Sequence, residues 1–492
     1  LINLKPERPG RLIGPLLGAL GLLGSAAFYL AWQLAHRGSY RYDVSFFPLD
    51  DADEWRYTAC SRLVEHGYAM FTQVFSAQPP LLFASLAEGM RLFGDSIAGA
   101  RWVEVLFGLL GLIATVGLAW LLSGPVAAGA TGLLLAVSPL FLVYSRAVEA
   151  EGPMMALTAL CLALALGYRR ATSPILPILS GLTLAAAVLF KLFALEAVLP
   201  ALWIMWLPEQ RATSLRAVGS FLAATIVPVL ADFLLVSPTA QWYQVVNLHQ
   251  RAASAALPGL LSPLQIFRDL VATDPGLVVL AAAGLAVLAV LAVWEDAVFL
   301  LLWVGGTLAM LTVFRPLFPH HAVILLPGLA VCAGVAVTVL VEQLRSHRWV
   351  AAIPLAAAAL LYLALTPRLA HADRHVLIPG LPASEVQGAA YVRAHTSAAD
   401  IVASDNAQIA DLASRLVPAP LCDLSNVRFR SGYSSASTLI RSTRDYHARM
   451  VIAWPGGIFT QAQGYLPWVR RHYRFRREVA GTQIYSATHQ SP

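Results

Sequence analysis

The sequence predicts a mainly α, polytopic membrane protein of about eleven transmembrane helices, followed by a smaller α/β domain outside the membrane. Three observations predict it. Of the 492 residues, 58% are hydrophobic and only 13% charged, with a mean hydropathy of +0.65, more apolar material than a soluble core can bury. Apolar windows of about 18 to 23 residues recur along most of the chain, long enough for a helix to cross a hydrocarbon layer of roughly 30 Å. From about Pro367 those windows stop, and short alternating stretches take over.

The windows fall near 12–35, 98–122, 126–143, 152–168, 174–190, 192–207, 215–236, 276–293, 297–314, 320–341 and 349–366. Lys5, Arg8 and Arg11 precede the first, and Arg169, Arg170, Arg211, Arg216, Arg345 and Arg348 occupy short connections on the same side. By the positive-inside rule that side is cytoplasmic, so the expectation is a multi-pass protein of the inner (plasma) membrane with its N-terminus inside and its C-terminal domain outside. The first window is too long, and lacks the small-residue cleavage site, for a removed signal peptide. This topology divides the chain into a membrane domain, 1–366, and an extracytoplasmic α/β domain, 367–492. It sends three hydrophilic pieces outward: 36–97, 237–275 and the tail.

The first outer piece carries structure of its own. "EWRYTACSRLVEHG" has helical period and stops at Gly67, while "QPPLLFASLAEGMRLFG" opens on prolines suited to a first helical turn and stops at Gly94. Both are too short to span. They are expected to lie in the interface plane, apolar faces toward lipid and the acidic start of the first toward the bundle.

That acidic start is "DDADEW", in which Asp50, Asp51, Asp53 and Glu54 crowd one spot of a charge-poor chain. Complementing a helix dipole, for about 0.3–1 kcal/mol, accounts for one or two acids at a first turn. The remainder point to function, because ionisable groups at a membrane surface are costly to keep. Other polar residues converge on the same face: Arg146, Glu149 and Glu151 in "YSRAVEAEGPM", Lys191 in "LFKLF", and Arg315, His320 and His321 in "FRPLFPHHAVILLP". Each alone has a plain explanation, a snorkelling cation or a hydrogen-bonded histidine. Together, acids facing cations at the mouth of an apolar bundle suit an amphiphile with an anionic head.

These residues, in order, resemble the GT-C glycosyltransferases that use polyprenyl-phosphate-linked sugars, in particular the family of protein O-mannosyltransferases and lipid A aminoarabinose transferases. The resemblance lies in Asp53-Glu54 opening the first interfacial helix with Tyr57 following, in Pro79-Pro80-Leu81 leading to Leu92-Phe93-Gly94, in Tyr144-Ser145-Arg146 with Glu151 five residues on, in Lys191, and in Arg315 followed by Pro327. It implies an enzyme that moves a sugar from a polyprenyl-phosphate donor to a lipid, glycan or protein acceptor on the outer face, with inversion. The leaving group is already anionic and calls for electrostatic stabilisation, to which Arg and Lys are suited. Asp53 is the candidate base for the acceptor hydroxyl, and Glu54 and Glu151 complete the catalytic set by orienting Asp53, the acceptor or the sugar hydroxyls. Lys191, Arg315, Arg146 and Gln78 are candidate contacts to the donor phosphate, and Tyr57, His320 and His321 are candidate substrate contacts.

Two departures from the family pattern bear on the site. Gln78 stands where relatives commonly carry the phosphate-binding Lys, and Glu151 stands where they usually carry Asp. An inactive relative that only binds polyprenyl phosphate is therefore one rival reading. The other is a flippase or transporter of the lipid-linked sugar, which would place polar groups near the midplane on interrupted helices, often with an internal repeat; here the charges gather at one face. No nucleotide site is required, and no cofactor is predicted. A divalent cation is chemically compatible with the acidic start, but neighbouring acids on one helix make no cage, and no loop has calcium-site spacing. Cys60 and Cys422 both lie outside and could pair, while Cys161 and Cys332 fall inside membrane windows. In the tail, "DIVASD", "MVIAW" and "TQIYSA" read as strands and "SEVQGAAYVRAHT" and "STLIRSTRDYHARM" as helices. Its basic run "WVRRHYRFRR" is expected as a solvated helix face or a contact to anionic headgroups; membrane lipids are partners here and nucleic acid is not.

Overall fold

The structure, a computed structural model, describes residues 13–42, 52–254, 262–291, 293–346, 349–375 and 377–488. Asp50 and Asp51 of the acidic start, and Lys5, Arg8, Arg11 and Arg348, lie outside the described residues. The chain opens with α1 (Ile13–Ala35), and the first outer piece forms β1 (Ser39–Tyr42), α2 (Ala52–Glu65) and α3 (Pro80–Phe93). Then come α4 (Ile97–Ala136), α5 (Pro139–Tyr144), α6 (Glu151–Ala171) and α7 (Ile175–Phe190), a 3-10 turn at Leu192–Ala197 leading into α8 (Val198–Met205), and α9 (Arg211–Leu235). The second outer piece holds α10 (Pro238–Gln241), α11 (Leu248–Ser254) and α12 (Pro263–Thr273). The remaining membrane helices are α13 (Pro275–Val290), α14 (Trp294–Leu300) running through a π turn into α15 (Gly306–Val313), α16 (Leu326–Arg345) and α17 (Trp349–His375).

Every apolar window lies on helix. Windows 98–122 and 126–143 share the long α4, which breaks at Gly124 (φ 82°), a left-handed conformation open to glycine, before Pro125 starts the second half. Among the described residues six helices are long and apolar enough to cross a membrane alone, or seven if the bent pair α12–α13 counts as one span. The bundle packs around α4, which meets α1, α6 and α16. Small residues let helices approach where lipid supplies no hydrophobic drive. A Cβ on Gly284 of α13 would lie 2.0 Å from the Cys332 carbonyl of α16, so that crossing admits glycine alone.

The three hydrophilic pieces meet on one face. β1 pairs antiparallel with β2 (Leu377–Pro379) at the start of the tail. Gln244 accepts from Ser76 N (2.9 Å) and donates to Phe71 O (2.7 Å), tying the second piece to the first. The tail continues through α18 (Ala383–His395), β3 (Val402–Ser404), α19 (Ala407–Leu412), α20 (Asn426–Arg430), α21 (Ala436–Asp445), β4 (Met450–Ala453), α22 (Ile458–Gln461), α23 (Tyr465–His472), β5 (Tyr473–Val479) and β6 (Thr482–Ala487). Its four-stranded sheet runs β3-β4-β6-β5, with β3 and β4 parallel and the other pairs antiparallel.

Two local expectations change. α2 does not offer an apolar face to lipid: Trp55, Tyr57, Ala59, Cys60 and Leu63 are buried, because α3 covers one side of the helix and α19 of the tail the other. α3 does reach outward, with Leu92 and Phe93 exposed. The basic run is only half helix. It passes from α23 into edge strand β5, where Arg474, Arg476 and Arg477 are exposed, as charged side chains commonly are on an edge that must not pair further.

Candidate active site

α2 is fixed by contacts on both flanks. At its C-terminal half, Cys60 forms a disulfide with Cys422 of the tail, and buried Arg62 pairs with Asp95 (2.6 Å) and with Asp411 of α19 (2.7 Å). At its N-terminal half, Glu54 is fully buried and receives two hydrogen bonds from Arg101 of α4, Nε to Oε1 (2.5 Å) and Nη2 to Oε2 (2.6 Å). The Val148 N–H adds a third, at 3.2 Å. The planar guanidinium fork matches the carboxylate, which makes this the strong form of ion pair. Glu54 thus anchors α2 to the bundle and to the segment that leads into α6.

Asp53, one residue earlier, turns the other way. Its partner is Arg56 on the next turn, and both side chains are partly exposed. One turn further, Tyr57 is buried, and its hydroxyl accepts a hydrogen bond from Gln78 Nε2 (3.2 Å). Burial first, and then the charges of Asp53, Glu149, Asp423 and Glu151, hold the Tyr57 hydroxyl well above its ordinary pKa. Those four acids come from α2, the turn before α6, the tail, and the first residue of α6. Tyr57 therefore lies within the field of both Asp53 and Glu151, although three helices separate those acids in the chain.

Glu151 is fully buried and gathers cations and imidazoles. Lys191, at the break after α7, donates to its Oε1, and the Nε2 atoms of His320 and His321 each lie 3.4 Å from the same oxygen. His321 Nδ1 accepts the Phe318 N–H (3.1 Å), which assigns the ring proton to Nε2, facing Glu151. Glu151, His320 and His321 are the one group among the described residues whose ligand atoms cluster closely enough for a metal, within 4.8 Å. They do not fit one as they stand. His321 Nε2 carries its proton toward the carboxylate, and the Lys191 ammonium, 3.5 Å from that nitrogen, adds a positive charge at the same point.

The remaining candidate cations donate to backbone carbonyls. Arg146 donates to the carbonyls of His36 (2.7 Å) and Ser39 (3.3 Å), closing the end of α1. Arg315 is half-buried; its Nη1 donates to Phe314 O (2.9 Å) and Leu311 O (3.3 Å) at the end of α15. Three groups that sequence reasoning missed complete the site. Arg101 and Glu104 sit in the 98–122 window, where an ionisable residue is itself a signal. Asp423, which accepts the Ala77 N–H (3.3 Å) just before Gln78, comes from the tail and had no local signature.

An apolar cavity of about 340 Å³ is lined by chain neighbours of Lys191 and Gln78. One wall is Val188, Leu189, Leu192 and Leu195, which bracket Lys191; the other is α9, and Pro79, next to Gln78, stands at its rim.

Residues 77–242, about a third of the chain, match the sequence profile of the dolichyl-phosphate-mannose-protein mannosyltransferase family. No curated protein matches the chain by sequence. Among solved structures, ArnT from Cupriavidus metallidurans bound to undecaprenyl phosphate superposes over 95% of this chain and 97% of its own, with a TM-score of 0.62 at 15% identity. Its apo form gives 0.63 at 16%, over 94% and 98%. AglB, the oligosaccharyltransferase of Archaeoglobus fulgidus, solved with an inhibitory peptide and a dolichol-phosphate, covers 96% of this chain and 74% of its own, with a TM-score of 0.57 at 13% identity. The chain thus shares the fold of these membrane glycosyltransferases, and its residues 77–242 match the profile of the dolichyl-phosphate-mannose-protein mannosyltransferase family.

Proposed function

We propose that the protein is a membrane glycosyltransferase that moves a sugar from a polyprenyl-phosphate donor to an acceptor on the outer face of the membrane. One juxtaposition carries this reading: an apolar cavity of lipid-chain character is lined by Leu189 and Leu192, which flank Lys191 in the chain, and by Pro79, which follows Gln78, while Lys191 itself is bound to Glu151 and Gln78 to Tyr57. The undecaprenyl phosphate bound to ArnT and the dolichol-phosphate bound to AglB support it as neighbours in fold. The Cys60–Cys422 disulfide supports placing the first outer loop and the tail outside the cytoplasm, since such bonds persist in oxidising compartments.

In this mechanism Asp53 takes the proton of the acceptor hydroxyl as its oxygen attacks the anomeric carbon. The carbon–oxygen bond to the phosphate breaks, its electron pair leaves with the lipid phosphate, and the configuration inverts. Arg56 orients Asp53. Arg315, whose Nε and Nη2 are not engaged by the carbonyls it caps, and Lys191 stabilise the departing phosphate. Glu151 holds Lys191 in place, while Glu54 and Arg146 position the elements that carry the reacting groups. Purified protein incubated with radiolabelled polyprenyl-phosphate sugars of several sugar types is expected to turn over at least one, by transfer or by slow hydrolysis. Silence across the panel, with the disulfide intact and the protein monodisperse, would remove the enzymatic reading.

A further inference from the structure

A second cavity, of about 100 Å³, lies between α2 and the tail. It sits at the C-terminal ends of the parallel strands β3 and β4, where open α/β sheets commonly take their ligands. Trp55 and Arg56 form its membrane-side wall, and Asp405, Gln408 and Trp454 its tail side. Two features show it is built to receive something. Gln408 is 6% exposed, and its Nε2 has no hydrogen-bond partner, a donor left unmet in a buried position. The Trp454 indole is 43% exposed at the mouth, although its backbone is pinned by its N–H to Asp405 Oδ1 (2.7 Å).

The lining narrows the chemistry. Among the described residues Arg56 is the one cation in the lining; it is itself paired with Asp53 and shares the lining with Glu385, so the cavity is not an anion site. An extended peptide would want an open strand edge, but edge strand β3 is already covered by the Leu416 segment, whose carbonyl accepts Val402 N–H (2.9 Å). An indole face, an unmet amide donor and a carboxyl group whose oxygens can accept beyond the Trp454 and Phe459 N–H bonds suit a small hydroxyl-rich ring. Arg56 joins the cavity directly to Asp53.

We propose that this cavity is the acceptor subsite and that it holds a neutral or amino-bearing sugar unit, stacked on Trp454 and hydrogen-bonded to Gln408. The assignment deepens the glycosyltransferase reading and rests on it for the word acceptor. The test uses full-length protein labelled with 5-fluorotryptophan, the Trp454 resonance being assigned with Trp454→Phe. Methyl glycosides of hexoses, pentoses and N-acetylhexosamines are titrated in, alongside short serine- and threonine-containing peptides. At least one glycoside is expected to shift the Trp454 signal saturably, and Gln408→Met, which fills the same volume without the donor, weakens that binding roughly three- to tenfold. Phe475→Ala, exposed on distant β5, leaves it unchanged. No glycoside response, a response to peptides alone, or an unaltered affinity in Gln408→Met overturns the proposal, and a native Trp454 signal in the unliganded variant shows that it has folded. Donor turnover by the wild-type protein is read separately. Turnover without a glycoside response leaves the enzyme and removes the subsite, whereas a glycoside response without turnover of any donor removes the acceptor role and the enzymatic reading with it.

Discussion

The two sides of α2 are built on opposite plans. Toward the bundle, Glu54 is sealed from water and its carboxylate accepts two hydrogen bonds from Arg101 and one from the Val148 N–H. Toward the tail, Asp53 is partly exposed, its partner Arg56 sits on its own helix, and a cavity follows. Adjacent acids thus do different work. A buried carboxylate clasped by a bidentate guanidinium positions a helix, whereas one on a water-accessible side can receive a proton from a substrate. The same contrast explains why only one of the pair is assigned to the chemistry.

The largest expected effect breaks the open side. Asp53→Asn keeps the shape and removes the base, so transfer is expected to fall by about 10²–10⁴-fold, the usual worth of a positioned base, while donor binding persists. Near-normal transfer in that variant would move the base to Glu151. The next effect breaks the sealed side. Arg101→Leu leaves Glu54 buried without its partner, at an expected cost of about 3–5 kcal/mol in unfolding stability, and Arg101→Leu with Glu54→Leu recovers most of that loss. If the double variant is no more stable than the single one, the pair is not what holds α2 to α4. Smaller again is the donor term: Lys191→Ala or Arg315→Ala is expected to weaken polyprenyl-phosphate binding by about 1.5–3 kcal/mol, as for a hydrogen bond to a charged group. Unchanged binding in both would locate the phosphate elsewhere.

How much of this was legible in the sequence follows the range of the forces involved. The apolar windows, the two loop helices ending before Gly67 and Gly94, and the tail strands at "VAS", "MVIA" and "TQIYSA" are set by local pattern, and each lies where the sequence puts it. That Asp53 and Glu151 act at one site is an expectation from motif order. What local pattern could not give was the far partner of each charge. Glu54 reads like Asp53 until Arg101 is seen to clasp it, and Lys191 reads as a free cation until Glu151 is seen beneath it. Asp423 approaches Gln78 only because the tail folds back over α2. The burial of α2 on both faces has the same cause, since a helix pattern shows which side is apolar and not what will cover it.

The smallest prediction sharpens the comparison on its open side. Burial pushes the Asp405 carboxyl up from 3.8 to about 7, against the N–H groups of Trp454 and Phe459 that favour its charged form. Because the folded state binds the proton more tightly than the unfolded chain, the contribution to stability is full below about pH 4 and is lost as pH rises through about 7. The loss is local to the turn after β4, so its readout is hydrogen exchange at Trp454 and Phe459, corrected for the intrinsic pH dependence of exchange. Protection of these two amides is expected to fall between pH 5 and pH 8, a range chosen to bracket that value. Asp405→Asn, which cannot ionise, is expected to flatten the profile while lowering protection slightly at every pH, since one of its two oxygens becomes an NH₂ and can no longer accept. A profile that stays sloped in Asp405→Asn would place the titrating group elsewhere, and Glu385, which lines the same cavity, would be the next to replace.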